Sequence, residues 1–216
     1  MTQPLRFPRG LYGVSPDWED TDRMLAAIEA AAAGGMTAFQ LRRKNAAPDA
    51  VLAQARKVVE RCRELGVTSI INDDWRLAAL VEADGVHLGR DDGSLPDARA
   101  ALGPERIIGC SCYDDPARAQ RALLADVDYV AFGAMYPSSV KPGAVRALPE
   151  HLAQARQIVE STGKAARPAV VAIGGITPEN AAAVIAAGAD SIAVITAVFL
   201  ASDIQAAARR CAGLFP

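Results

Sequence analysis

The chain predicts a single (β/α)8 barrel of the TIM type, with residues 1–216 forming one domain. Three observations point there. Eight short, β-branched apolar runs alternate with amphipathic or Ala-rich stretches, the pattern of parallel strands joined by crossover helices. The chain is 51% hydrophobic but only 5% aromatic, so its core is built from Ala, Val, Ile and Leu, as in strands buried on both faces. Its 216 residues also suit a one-domain α/β barrel, which typically runs to ~200–250. An open doubly wound sheet is the alternative, but no G-x-G-x-x-G follows the first run.

The strands expected in order are Leu11–Val14, Ala38–Leu41, Ser69–Ile71, Gly85–Leu88, Ile107–Cys110, Tyr129–Phe132, Val170–Ile173 and Ser191–Val194. Helical stretches include Thr21–Ala33, Pro48–Leu65, Pro116–Ala125, Pro149–Thr162 and Pro178–Ala187. Several open on Pro in the first turn, where the missing N–H has no helical acceptor to lose. Gly34-Gly35, Gly66 and Gly188 follow three of them, where a left-handed terminal residue is wanted. Met1–Arg9 reads as a loose lead-in with no assigned role.

Charge and composition exclude several partners. A formal net charge of −2 gives no footprint for nucleic acid or an anionic membrane. No apolar run reaches ~18 residues, and the N-terminus lacks the apolar stretch of a signal peptide. A cytoplasmic protein is expected, with self-association into a homo-oligomer left open. The four cysteines have no zinc-like spacing and read as small buried hydrophobes with free thiols.

Strand ends and the loops after them form the active face of such a barrel, and the unusual polar residues lie there. I-I-N-D-D (Ile70–Asp74) and A-D-G-V-H-L-G-R-D-D (Ala83–Asp92) each run from an apolar strand into carboxylates. If the two strands are parallel neighbours, Asp73 and Asp92 leave the same end of the sheet. Such a pair, with basic residues converging on it, can hold Mg²⁺ against a phosphorylated ligand. Taken alone, Asn72-Asp73-Asp74 also reads as a helix-capping cluster, with Asp74 as the plain cap. In F-Q-L-R-R-K, Gln40 and Arg42 share one face by the period-two rule, and Lys44 enters the loop. An inward Gln and Arg are costly unless they meet a ligand or each other.

His87 reads either as a general acid or metal ligand, or as a hydrogen-bonded structural residue. Ser111 either donates to a ligand or caps the next turn. Ser138, Ser139 and Lys141 offer donors to phosphate oxygens after the sixth strand. Gly174-Gly175 permits close backbone approach, and Thr196 opens a short helical stretch whose N-terminus can hold an anion.

The ordered blocks Q-L-R-x-K, I-I-N-D, A-D-G-V-H-L-G-x-x-D, Y-V-A-F-G-A-M-Y-P-S, A-I-G-G-I-T and A-V-I-T-A resemble the thiamine phosphate synthase family from Tyr12 to about Phe199. The resemblance implies a transferase that joins hydroxymethylpyrimidine pyrophosphate to a thiazole phosphate, releasing pyrophosphate. It implies that Asp73 and Asp92 bind one Mg²⁺ per subunit. Gln40, Leu41, Arg42, Arg43, Lys44, Asn72, Ser111 and Lys141 would hold the pyrimidine pyrophosphate, with Arg42, Lys44, Ser111 and Lys141 also serving the reaction. Ser138, Ser139, Val140, Gly175, Ile195 and Thr196 would hold the thiazole phosphate.

There are departures from the family pattern. Arg90 and Asp91 replace a usual Gln and Glu, Ser138 and Val140 replace threonines, and Thr196 replaces a frequent Ser. The related thiazole tautomerases, which are isomerases, need no pyrophosphate site. The set Arg42, Lys44, Asp73, Asp92 and Lys141 therefore favours the synthase over them. A non-catalytic barrel binding phosphorylated ligands would have no use for the full charged set, and unrelated phosphate-sugar barrels usually need a strand-end Lys or Glu for acid–base work, for which there is no clear candidate.

Overall fold

The computed structural model describes residues 4–137 and 143–215. Its strands are β1 (Gly10–Val14), β2 (Met36–Leu41), β3 (Thr68–Asn72), β4 (Gly85–Leu88), β5 (Ile107–Tyr113), β6 (Tyr129–Phe132), β7 (Ala169–Ile173) and β8 (Ser191–Val194). All pair in parallel with their neighbours in sequence, and β8 closes on β1, Leu11 facing Ile192. The helices α1 (Thr21–Ala33), α2 (Pro48–Leu65), α3 (Trp75–Leu80), α4 (Leu95–Leu102), α5 (Pro116–Leu124), α6 (Pro149–Glu160), α7 (Ala181–Ala186), α8 (Thr196–Phe199) and α9 (Ile204–Ala212) form the outer layer. This is the expected TIM barrel.

Period-two alternation divides the strand residues between two cores. Leu11, Phe39, Leu41, Ile71, Val86, Leu88, Cys110, Cys112 and Val170 point outward and pack under the helices. Tyr12, Val14, Ala38, Ile70, Tyr129, Ala131, Val171 and Ala193 fill the barrel. All four cysteines are buried free thiols. No helix among the described residues is long and apolar enough to cross a membrane.

Two boundaries differ from expectation by three residues, and the other expected ones by no more than two. β5 runs on to Tyr113, with a register irregularity against β6 between Ser111 and Tyr113. α7 starts at Ala181 because Asn180 holds the preceding turn: its Oδ1 accepts from Thr177 N at 2.9 Å and its Nδ2 donates to Gly175 O at 3.0 Å. Asp74 is the cap of α3, accepting from Arg76 N and Leu77 N. Gly66 ends α2 at φ 66°, as a left-handed cap requires.

The lead-in is not loose over residues 5–9. Leu5 bridges to Arg167, and Phe7, fully buried, plugs the barrel floor with its ring centroid 4.9 Å from Tyr12 and 4.2 Å from Tyr129. Gly109 faces this plug, where a Cβ would lie 1.9 Å from the Tyr129 ring. Phe7→Leu keeps the plug apolar but loses the ring contacts. It should cost about 1–2 kcal/mol, read as a lower urea midpoint at unchanged slope.

A recurrent aspartate organises the same floor. Asp84, Asp128 and Asp190 each stand just before an even-numbered strand. Each accepts a backbone N–H from the preceding strand, at Ser69, Ile108 and Val170, within 2.8–2.9 Å. The two buried ones also take arginines. Arg6 and Arg99 pair with Asp128, while Arg9, Arg156 and Arg167 pair with Asp190. Structural charges thus gather at the N-terminal end of the barrel, opposite the site.

Candidate active site

At the C-terminal ends of the strands lies a cavity of about 330 Å³ with two unlike halves. The ends of β2 to β5 supply Gln40, Arg42, Lys44, Asn72, Asp73, His87, Asp91, Asp92 and Ser111. The ends of β6 to β8 and β1 supply Ala131, Val171, Ile173, Ala193, Ile195 and Val14. Charge and hydrogen bonding are therefore concentrated on one side and small apolar surface on the other.

On the β2 side, Arg42 is fixed through its backbone. Its N–H donates to Ser15 Oγ at 2.8 Å and its carbonyl accepts from the same hydroxyl at 3.2 Å, leaving the guanidinium on the cavity wall. The guanidinium makes no ion pair among the described residues. Arg43 is a correction to the expected ligand contacts. The pleat turns it outward, where Nε donates to Asp17 at 2.8 Å and Nη1 donates to Trp18 O and Gln54 Oε1 at 2.7 Å. Its charge is spent on holding the β1–α1 loop. The Leu41 side chain likewise faces the outer core.

Asp73 sits at φ 66°, its N–H donating to His87 O at 2.8 Å, and this left-handed turn places its carboxylate on the cavity lining. Asp92 is held by its own loop, Oδ2 accepting from Gly89 N at 2.7 Å. Burial, then the hydrogen bonding and charge of Asp92, push the Asp73 carboxyl up to about 6 against the opposing pull of Lys44. The Lys44 ammonium stands 3.8 Å from Asp73 Oδ2. Two repelling carboxylates incompletely relieved by one exposed lysine are a donor set that suits a hard divalent cation. Among the described residues no group of three or more acidic, His or Cys side chains gathers as a metal site. An ion held by Asp73 and Asp92 would thus draw its other ligands from water and phosphate oxygens, the usual habit of Mg²⁺.

Beneath the mouth, His87 is wholly engaged. Its Nδ1 lies 2.9 Å from Tyr129 Oη and its Nε2 2.8 Å from Ser111 Oγ, with the ring stacked on Tyr129. Burial pushes its pKa down to about 4, against the charge of Asp92, so the ring is neutral at neutral pH. The structural reading of His87 is the one the geometry supports. Tyr129 Oη lies 2.9 Å from Tyr12 Oη, which accepts from Gln40 Nε2. Gln40 and Ser111 are thus the two ends of one hydrogen-bonded chain, whose inner members Tyr12 and His87 also border the cavity floor. Tyr12 and Tyr129 were missed in the sequence, although the period-two rule places both inside the barrel.

Arg118 was missed as well. Its Nε donates to Ser111 O at 2.7 Å and its Nη2 to Gly89 O at 3.1 Å, tying the Asp92 loop to the Ser111 strand. Arg90 N–H donates to Tyr113 Oη at 3.2 Å, and the Arg90 guanidinium lies 5.0 Å from that ring.

On the apolar side, Gly174 lines the cavity, whereas Gly175 packs beneath the preceding loop. Both have positive φ, and a Cβ would meet Ala134 at 2.6 Å or Pro137 O at 2.4 Å. The glycines therefore serve loop-to-loop packing as much as ligand approach. Ile195 lines the wall, and Thr196 opens α8 directly behind it. Ser138, Ser139, Val140 and Lys141 lie outside the described residues.

The family model described as thiamine monophosphate synthase matches residues 11–198. The chain is 57% identical to a thiamine-phosphate synthase of Bordetella avium, covering 98% of this chain and 97% of that one. It is 49% identical to one of Thiobacillus denitrificans, covering 97% and 96%. Among solved structures it resembles a thiamine phosphate pyrophosphorylase from Pyrococcus furiosus, with TM-score 0.81, 32% identity and coverage of 97% and 96%. An orotidine 5'-phosphate decarboxylase from Pyrococcus horikoshii, 16% identical at TM-score 0.67, shares the fold alone. With a family model spanning nearly all of the barrel, and relatives of this identity along almost its full length, the chain belongs to the thiamine-phosphate synthase family.

Proposed function

We propose that this protein joins hydroxymethylpyrimidine pyrophosphate to hydroxyethylthiazole phosphate, forming thiamine phosphate and pyrophosphate. The observation that carries this reading is the division of one cavity into a charged half and a small apolar half. The charged half suits a pyrophosphate leaving group, and the apolar half suits two aromatic rings brought together.

The residues have separable tasks. Arg42 and Lys44 place positive charge where the leaving group gains negative charge, an electrostatic contribution that is largest in a site closed to water. Lys141 would add to that charge, and Asn72 to the hydrogen bonding. Gln40 and Ser111 orient the pyrimidine pyrophosphate from the cavity floor. Val171, Ile173 and Ala193 exclude water from the carbon that loses pyrophosphate, where hydrolysis would compete with attack by the thiazole nitrogen. Ser138, Ser139, the Val140 backbone, Gly175, Ile195 and Thr196 are assigned to the thiazole phosphate. The path needs no strong base and no covalent nucleophile, and neutral His87, with both nitrogens occupied, supplies neither.

Asp73 and Asp92 would hold one Mg²⁺ per subunit. When bound, the ion would neutralise pyrophosphate oxygens as the C–O bond breaks. We place the enzyme in the cytoplasm, a reducing compartment that suits its four free thiols. Its partners would be phosphorylated small molecules.

The defining test is pyrophosphate release with both substrates, with and without Mg²⁺, and with the thiazole phosphate omitted. Mg²⁺-dependent release coupled to thiamine phosphate is the expected result. Interconversion of thiazole phosphate isomers without release would instead identify a tautomerase. Within the assignment, Arg42→Ala should raise KM for the pyrimidine pyrophosphate by about 10–100-fold, the weight of a charge-assisted hydrogen bond. The KM for the thiazole phosphate should move by no more than about twofold. Equal losses for both would redraw the two half-sites.

A further inference from the structure

Gln40 and Ser111 are joined along the cavity floor by Tyr12, Tyr129 and His87. We propose that this relay runs one way, fixing His87 as the Nε2–H tautomer and reserving the Ser111 hydroxyl proton for an acceptor atom of the bound pyrimidine pyrophosphate. The ligand's identity rests on the function proposed above, whereas the proton order is a property of the free protein.

The order follows from counting protons. Gln40 Nε2 donates to Tyr12 Oη at 2.5 Å. Tyr12 is buried, and among the described residues its hydroxyl has one other hydrogen-bond partner, Tyr129 Oη at 2.9 Å. Having accepted from Gln40, Tyr12 donates to Tyr129, because the reverse arrangement would leave a buried O–H with no acceptor among the described residues. Tyr129, now an acceptor from Tyr12, sends its own proton to His87 Nδ1 at 2.9 Å. No carboxylate touches the imidazole, so the buried ring is neutral and carries a single N–H. With Nδ1 accepting, that proton is on Nε2 and is donated to Ser111 Oγ at 2.8 Å. Ser111 then has no acceptor on His87, and its proton turns into the cavity that both Ser111 and Gln40 line.

Tyr12, Tyr129 and His87 are therefore positioning residues: they set which atom Ser111 can receive without reacting themselves. The stacking of His87 on Tyr129, with centroids 5.5 Å apart, holds the imidazole in the plane this requires. Gln40, with Nε2 engaged below, keeps its carbonyl as an acceptor for the ligand.

Nitrogen-15 NMR of histidine-labelled protein tests the order directly. The chain has two histidines, His87 and His151, so a His151→Gln sample assigns the signals. In the native protein His87 should be protonated at Nε2 alone, and an Nδ1–H tautomer would overturn the proposal. Gln40→Glu, followed upward in pH until the carbon-13 shift of its carboxyl shows that it is ionised, presents only acceptors to Tyr12. Every bond in the relay should then reverse and His87 should change to Nδ1–H. In a Tyr129→Phe background the same Gln40→Glu change should leave the tautomer alone. An unchanged tautomer in Gln40→Glu with Tyr129 present would show isolated contacts and no relay.

Tyr129→Phe itself, which retains the ring that plugs the floor, should lower kcat/KM for the pyrimidine pyrophosphate by about tenfold. The KM for the thiazole phosphate should stay within about twofold. Unchanged kinetics in Tyr129→Phe would overturn the positioning role. An Nε2–H tautomer in a wild-type protein that releases no pyrophosphate would leave the relay standing and remove the substrate assignment instead.

Discussion

Asp92→Ala is expected to lower kcat by about 10²–10³-fold, comparable to the loss of a preorganised electrostatic group, while the protein remains folded. Asp92 is half-buried, makes one short hydrogen bond to the Gly89 N–H, and faces Asp73 across the mouth. Removing it relieves repulsion on Asp73, so stability should hardly fall, or should rise slightly. What is lost is one of the two carboxylates assigned to Mg²⁺. The Gly89–Asp92 loop also loses the bond that shapes it. The measurement is turnover against Mg²⁺ concentration, with a urea titration alongside. Near-normal turnover at saturating Mg²⁺ would remove Asp92 from the metal assignment.

Asp190→Ala should have the largest effect on stability, about 3–5 kcal/mol, the range for removing one partner of a buried ion pair. Asp190 is 1% exposed and Arg167 has 5% of its side chain exposed, so the guanidinium would be left uncompensated in the floor. The Val170 N–H would lose its 2.9 Å acceptor. Against a typical total of ~5–15 kcal/mol, the variant should still fold, with its urea midpoint sharply lowered. The acid side provides a second readout. Burial alone would raise the Asp190 carboxyl, but Arg167, the Val170 N–H and Arg156 outweigh it and hold it below the ordinary carboxylate value. A depressed folded pKa gives stability that is fully present above the unfolded value of ~3.9. That stability is lost as pH falls from there through the folded pKa. Asp190→Ala should remove that part of the acid-side slope and leave the slope at neutral pH unchanged. A loss under 1 kcal/mol would mean that Arg167 finds water or Pro168 O an adequate substitute.

Much of the site could be read from pattern alone, since strand ends and helix caps depend on neighbours close in sequence. Period-two alternation put Gln40 and Arg42 inside, and it also implied that Arg43 points away. Resemblance assigned Arg43 to the ligand, whereas the pleat commits it to Asp17 and Gln54. Asp73 and Asp92 were paired from the sequence because β3 and β4 are consecutive parallel strands joined by one short helix. The role of Gly174-Gly175 in seating residues 134–137 was hidden, because that contact joins two loops after different strands.

The sequence by itself determined the barrel, its closed order of strands, the face that holds the cavity and most of the charged residues lining it. Each of these follows from local periodicity and from the rule that parallel strands expose their C-terminal ends together. Tertiary structure alone decided the floor. Phe7 meets Tyr129, Tyr12 meets Tyr129 across 117 positions, and Arg9 meets Asp190 across 181. No local pattern encodes such pairs. They exist because closing the barrel brings β1 against β8 and leaves a central space that the chain's few large side chains must fill, with every buried hydroxyl finding a partner.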